Sequence, residues 1–276
     1  MSKTQKQNDG QKLGDALRSL FATSTILISL IIAILIFKFV MGNPINFEGG
    51  NIHGTPMPGN YLAMVYKGGF IVPILITILL VTITFSIERF VTIRKARGKG
   101  RINVFVKKMQ SLLASGQIDN AISECDKQRG SLANVMKAGL FRYKELENDP
   151  NLAKDQKIIA LQQAFEEATA LELPMLSKNL VILSTIASIA VLFGLLGTVL
   201  GMIRAFAALA TAGSPDALAL ATGISEALIN TAFGIGGSTL AIIMYNYFST
   251  KIDNYTYKID EAGFSLIQTF NANVKR

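Results

Sequence analysis

The chain of 276 residues is short of the side chains that most chemistry needs. It has one cysteine, Cys125, one histidine, His53, and no tryptophan. A lone cysteine cannot close an internal disulfide, and one cysteine with one histidine cannot furnish a Cys/His metal site. No glycine-rich loop follows a strand pattern, so nucleotide binding finds no support. Nothing reads as a catalytic constellation, and the expectation is a protein that is not an enzyme and carries no metal or cofactor. Charge is scarce too, since 17% of the residues are charged and 50% are hydrophobic. The mean hydropathy is +0.38. Such apolarity exceeds that of a soluble globular chain and places the protein in lipid.

What the sequence has in plenty is long apolar runs. Ser24 to Met41 holds a single charge, Lys38, and at ~1.5 Å per residue it just covers a hydrocarbon core of ~30 Å. Lys3, Lys6, Lys12 and Arg18 precede it, as in a signal peptide. The run is longer than a signal's apolar stretch, however, and no small-x-small cleavage site follows, so a retained helix is expected. Phe70 to Ile87 is the second run; it follows a segment containing Pro44, Gly49, Gly50, Pro56, Pro58 and Gly59, and it ends at Glu88-Arg89. The third and fourth, Leu180 to about Ala208 and Ile224 to Phe248, are rich in Gly and Ala. The fold class expected is all-α: a polytopic membrane protein with four transmembrane helices, and long helices extending into a cytoplasmic helical bundle.

The formal net charge of +8 could signal nucleic acid or a membrane, and position decides between them. Arg89, Arg94, Lys95, Arg97, Lys99, Arg101, Lys107 and Lys108 follow directly on the second run, whereas Gly42 to Gly69 carries only Lys67 and Thr211 to Gly223 carries no positive charge. Lysine and arginine accumulate on the cytoplasmic side of membrane helices, so topology accounts for the basic balance and no nucleic-acid partner is expected. The reading is a cytoplasmic segment over 1–23, membrane helices over 24–41, 70–88, 178–208 and 224–248, and outer loops over 42–69 and 209–223. A cytoplasmic helical domain takes 89–177 and a cytoplasmic C-terminal helix takes 249–276, with both termini inside.

Within 89–177, Phe105, Met109, Leu112 and Leu113 recur at helical spacing up to Gly116. Further helices are expected over Ile118 to Gln128, from Ser131 through Leu146, and from Lys154 to Pro174, where a kink is anticipated. Cys125 reads as a helical packing residue, Glu88-Arg89 as an interfacial ion pair and His53 as a loop residue.

Two membrane runs carry an unusual pattern. At about 100° per residue, Ala187, Ala190, Gly194, Gly197, Gly201 and Ala205 share one face of the third, with Thr198 at its margin. Small residues so placed let another helix approach closely, and a plain packing motif accounts for Gly197-x-x-x-Gly201. In the fourth, Glu226, Asn230, Gly234 and Ser238 follow at four-residue steps, with Thr231 on the flank. A carboxylate at the bilayer centre costs about 2.5–3.5 kcal/mol and usually faces a bundle interior or a wet cavity. The alternative is a Glu226 close enough to the outer interface to stay hydrated and merely orient its helix.

At these residues the sequence resembles the MotA/TolQ/ExbB proton channel family. The resemblance runs from about Lys67 to Phe248 and is most specific at Gly194-Leu195-Leu196-Gly197-Thr198-Val199-x-Gly201-Met202 and at Gly223-Ile224-Ser225-Glu226-Ala227-Leu228-Ile229-x-Thr231-Ala232. With Tyr245-Asn246-Tyr247-Phe248, these look more like ExbB and TolQ than MotA. The resemblance implies a bacterial inner-membrane proton-channel subunit, a homo-pentamer surrounded by lipid, enclosing two copies of a single-span ExbD/TolR-type partner whose aspartate takes up the proton. A TonB- or TolA-type protein is a further partner it allows, and the outer loops would then be periplasmic. It puts Thr198 and Thr231 in the pore and Glu226 beside the pathway. Asn230 and Ser238 join the candidate pathway set from their place on the stripe, and Gly194, Gly197, Gly201 and Gly234 are the candidate helix-packing residues. Relatives commonly have proline where Val191 and Leu240 stand, and the first run is additional to the family's minimum of three spans. A non-conducting oligomeric scaffold stands as the alternative; a solute transporter lacks the expected inverted repeat.

Overall fold

The computed structural model describes residues 22–52, 54–147, 149–211 and 217–273. His53, the basic residues before Ala22, and Lys275 and Arg276 lie outside them. The helices are α1 (Ala22–Met41), α2 (Tyr61–Tyr66), α3 (Ile71–Arg97), α4 (Ile102–Ala114), α5 (Ile118–Gln128), α6 (Ser131–Glu147), α7 (Lys154–Ser177), α8 (Leu180–Thr211) and α9 (Ala217–Asn273). No strand forms among the described residues, and the fold is all-α. α1, α3, α8 and α9 each contain a stretch long and apolar enough to cross a membrane. α8 and α9 run without interruption through Val191 and Leu240. A proline at either place would remove an intrahelical hydrogen bond and crowd the preceding turn; valine and leucine do neither.

The described residues fall into two compact units, 22–86 with 182–244 and 87–181 with 245–273. In the first, α1 lays Ala33 and Met41 against Val72 and Ile76 of α3. Thr77, Thr82, Thr84 and Ser86 each donate to the carbonyl four residues back, at 2.7–2.8 Å. Such bonds hide hydroxyls that apolar surroundings would otherwise leave unpaired.

The described residues of the segment 42–69, expected as a loop, are folded. Asn46 is buried and its Nδ2 donates to the carbonyls of Val40 and Met41, at 2.8 and 3.1 Å, where α1 ends. Its Oδ1 accepts from Asn60, whose own Oδ1 caps α2 by accepting from the backbone of Leu62 and Ala63. Two asparagines thus satisfy helix-end groups that have no intrahelical partner.

In the second unit α4 packs on α5, α5 on α6 and α6 on α7. Residues 245–273 of α9 bury Ile252, Tyr255, Ile259, Ala262, Leu266 and Phe270, a helical stripe set against these helices. The Tyr255 hydroxyl donates to the Ala96 carbonyl at 2.6 Å and accepts from the Leu132 amide at 2.9 Å, and burial pushes its pKa up to about 12. α7 contains Pro174 but ends three residues later, at Ser177, and the chain turns through Asn179 with φ 61°.

Glu88 and Arg89 form the expected ion pair, and it is buried more deeply than an interfacial pair need be. The Arg89 side chain is 3% exposed. Its Nε and Nη2 donate to the two Glu88 oxygens at 2.6 and 2.5 Å, and Nη1 donates to the Leu176 and Met175 carbonyls at 3.0 and 3.4 Å. Those carbonyls belong to the last turn of α7 and have no partner within their own helix.

Cys125 is buried in α5, and burial, reinforced by the negative charge of Asp126, pushes its thiol up to about 12. At pH 8 almost none is thiolate, the reactive form. Iodoacetamide at that pH should leave Cys125 unmodified over an hour in the native protein and modify it fully in denaturant, as read by mass spectrometry. Equal rates in the two states would show an open α5.

Candidate functional site between two membrane helices

α8 and α9 approach through their small residues. A Cβ on Gly194 would lie 3.0 Å from the Gly234 Cα, and one on Gly201 would lie 2.8 Å from the Ala227 nitrogen. Gly197 faces the Asn230 side chain in the same way. Backbone contact of this kind is how membrane helices gain van der Waals energy where lipid supplies no hydrophobic drive. Ala190 and Ala205 are also fully buried.

The close approach brings Thr198 of α8 to Thr231 of α9, and their hydroxyls are hydrogen-bonded to each other. Either oxygen can be the donor. Thr198 also reaches the carbonyls of Gly194 at 3.1 Å and Ala227 at 3.4 Å, and Thr231 reaches that of Ala227 at 3.2 Å. Two hydroxyl protons therefore face more acceptors than they can fill at once. The pair can reverse its direction of donation without moving a helix, and a chain of proton hops requires that of each link. Both threonines remain half-buried.

The other three candidates on α9 lie deeper. Asn230 is 0% exposed; its Nδ2 donates to the Gly68 carbonyl at 2.9 Å, while Oδ1 has no hydrogen-bond partner among the described residues. Ser238 donates to the Ala187 carbonyl at 2.5 Å. Glu226 is 6% exposed and paired with Arg204 of α8. The face carrying Glu226, Asn230, Gly234 and Ser238 thus turns toward other parts of the same chain.

Arg204 is the functional candidate that the sequence reading passed over. It is the sole charged residue of α8, and a lone arginine inside an apolar run was the signal. Its guanidinium also lies over the Phe70 ring, 5.6 Å from the centroid. Arg204 and Glu226 border a cavity of about 750 Å³ that is also lined by Pro56, Met57, Lys67 and Ser225. Partial burial holds the Lys67 ammonium below the usual lysine range.

Residues 128–261 match the MotA/TolQ/ExbB proton channel family, a range that takes in both threonines, Arg204 and Glu226. The chain is similar to that family over just under half of its length. Similar proteins include the Tol-Pal system protein TolQ of Haemophilus influenzae, 28% identical over 211 residues, which are 73% of this chain and 91% of that protein. The TolQ of Pseudomonas aeruginosa is 33% identical over 117 residues, 42% of this chain and 51% of that one. The biopolymer transport protein ExbB of Pseudomonas putida is 27% identical over 175 residues, 63% and 50% respectively. The match thus spans about half the length of the two Pseudomonas relatives and nearly all of the Haemophilus one. The family range begins at Gln128, so α1 and α3 lie outside it.

Proposed function

We propose that this chain is the pore-forming subunit of a proton-driven motor of the bacterial inner membrane, a homo-pentamer around two copies of a single-span ExbD/TolR-type protein. The observation that carries this reading is the Thr198–Thr231 hydroxyl pair, reversible in its donation and half-buried between two apolar helices. Similarity to a proton channel family over residues 128–261 supports it. So do the exposed apolar residues of α8 and α9, among them Leu195, Val199, Leu228 and Ile235, which suit lipid or neighbouring copies. The cluster from Arg89 to Lys108 favours a cytoplasmic second unit, with both termini on the same side.

In this mechanism Thr198 and Thr231 line the pathway, with Glu226, Asn230 and Ser238 one layer behind. A proton passes along the hydroxyls and trapped water to a carboxylate on the partner's helix. Each crossing releases about 2.3 kcal/mol per 100 mV of potential. Neutralising that carboxylate removes its penalty for facing apolar walls, and the partner's helices can then turn within the ring. Work reaches the envelope through the partner, with a TonB- or TolA-type protein as recipient.

The test is proton flux into liposomes containing the chain with its co-purified partner. Thr198→Ala with Thr231→Val should reduce flux to that of empty liposomes while the complex elutes at unchanged size. Undiminished flux would end the pathway role of the pair, and an intact wild-type complex that conducts nothing would be a scaffold.

A further inference from the structure

Arg204 is the only charge in α8, and Glu226 is the only charge in α9 between Ala217 and Phe248. They meet. The carboxylate is seated where no side chain could stand: Gly69 has φ +73°, and a Cβ there would collide with Glu226 Oε1. Arg204 is held in turn over Phe70, so the Gly68–Phe70 segment braces both partners as well as Asn230.

Asn230 completes the argument. It stands one helical turn from Glu226 on the same face, where residues four apart are neighbours. Its Oδ1 is buried and has no donor among the described residues, although a buried oxygen is costly to leave unpaired. An ionised carboxylate only accepts and cannot help it. A neutral carboxyl carries a proton to donate. Among the described residues, the charged groups facing Glu226 are Arg204 from α8 and, across the cavity, Lys67 from the segment before α3. Its own helix adds none between Gly223 and Asn230.

We propose that Arg204 is a positioning residue that keeps Glu226 a fixed carboxylate, and that Asn230 Oδ1 is the acceptor to which Glu226 turns once it is protonated. In that step a hydronium ion in the cavity gives up a proton and leaves as water, the carboxyl O–H bond forms, the ion pair opens, and nothing is oxidised or reduced. While the pair is closed Glu226 carries no proton, and transfer stays on Thr198 and Thr231. Only this last consequence rests on the pathway reading.

The experiment is isotope-edited infrared difference spectroscopy of the full chain in lipid nanodiscs at neutral pH, with no gradient applied. Wild-type protein and Arg204→Lys should lack a protonated carboxyl band from Glu226. Arg204→Gln should gain one carboxyl per chain, abolished by adding Glu226→Gln and shifted to that of a free carboxyl by adding Asn230→Ala. A Glu226-dependent band already present in wild type, no band in Arg204→Gln, or a band indifferent to Asn230→Ala would each overturn the proposal. Should Arg204→Gln fail to accumulate, the neutral pair Arg204→Gln/Glu226→Gln must restore it, and failure to do so overturns the proposal equally. Thr198→Ala/Thr231→Val should leave the spectrum unchanged, so the pathway reading can fail while this one stands.

Discussion

Arg89→Ala is expected to lower the melting temperature of the purified protein by roughly 10 °C, a loss of about 3–5 kcal/mol spread over a chain of this size. The effect is large because one guanidinium meets three needs. It neutralises Glu88 through two donors and supplies Nη1 to the carbonyls at the end of α7, all from a side chain 3% exposed. Removing it leaves a partly buried carboxylate with hydrogen bonds only from Thr92 and Asn179, besides unfilled backbone acceptors. Arg89→Lys should fall between, since one ammonium cannot present the same fork to the carboxylate and reach the carbonyls as well. Thermal unfolding in detergent, followed by circular dichroism, measures all three. A shift under about 2 °C for the alanine variant would mean that the pair contributes little net stability, as exposed pairs do.

Gly234→Leu should yield little or no monodisperse protein, and Gly234→Ala should be destabilised by about 1–3 kcal/mol. A Cβ at this position would sit 2.7 Å from the Gly194 Cα and 2.8 Å from the Ala190 carbonyl oxygen. Both are backbone atoms of α8, so no rotamer change relieves the clash; the helices must separate. Separation would break the Thr198–Thr231 contact too. Gly236, two residues on, has open space where its Cβ would be. Gly236→Ala should therefore be neutral or gain up to about 1 kcal/mol from helix propensity. Size-exclusion profiles with thermal-shift curves would separate the two positions, and normal behaviour of Gly234→Leu would disprove the close approach.

The four apolar helices were plain in the sequence because a run near twenty residues with few charges has few other uses. α5 was legible to the residue, since Gly116 and Gly130 bracket it and both adopt positive φ. The fold within 42–69 was not legible. Its Gly, Pro and Asn residues signal turns wherever they occur, and only the contacts of Asn46 and Asn60 show that these turns are tied together. The spacing of Glu226, Asn230, Gly234 and Ser238 puts them on one face, but spacing cannot say which neighbour that face meets. Here it meets the chain's own α8 and the Gly68–Phe70 segment. Arg204 escaped notice for the opposite reason: its partner lies 22 positions away, and the pairing exists only once the two helices are side by side.

The burial of Cys125 has a practical side. With the one native sulfhydryl sealed inside α5, the unaltered protein serves as its own background for site-directed probes. A reporter cysteine placed at exposed Leu228 or Phe264 would take up a maleimide spin label alone. Distances between labelled copies could then be read without first rebuilding the helix that Cys125 helps to fill.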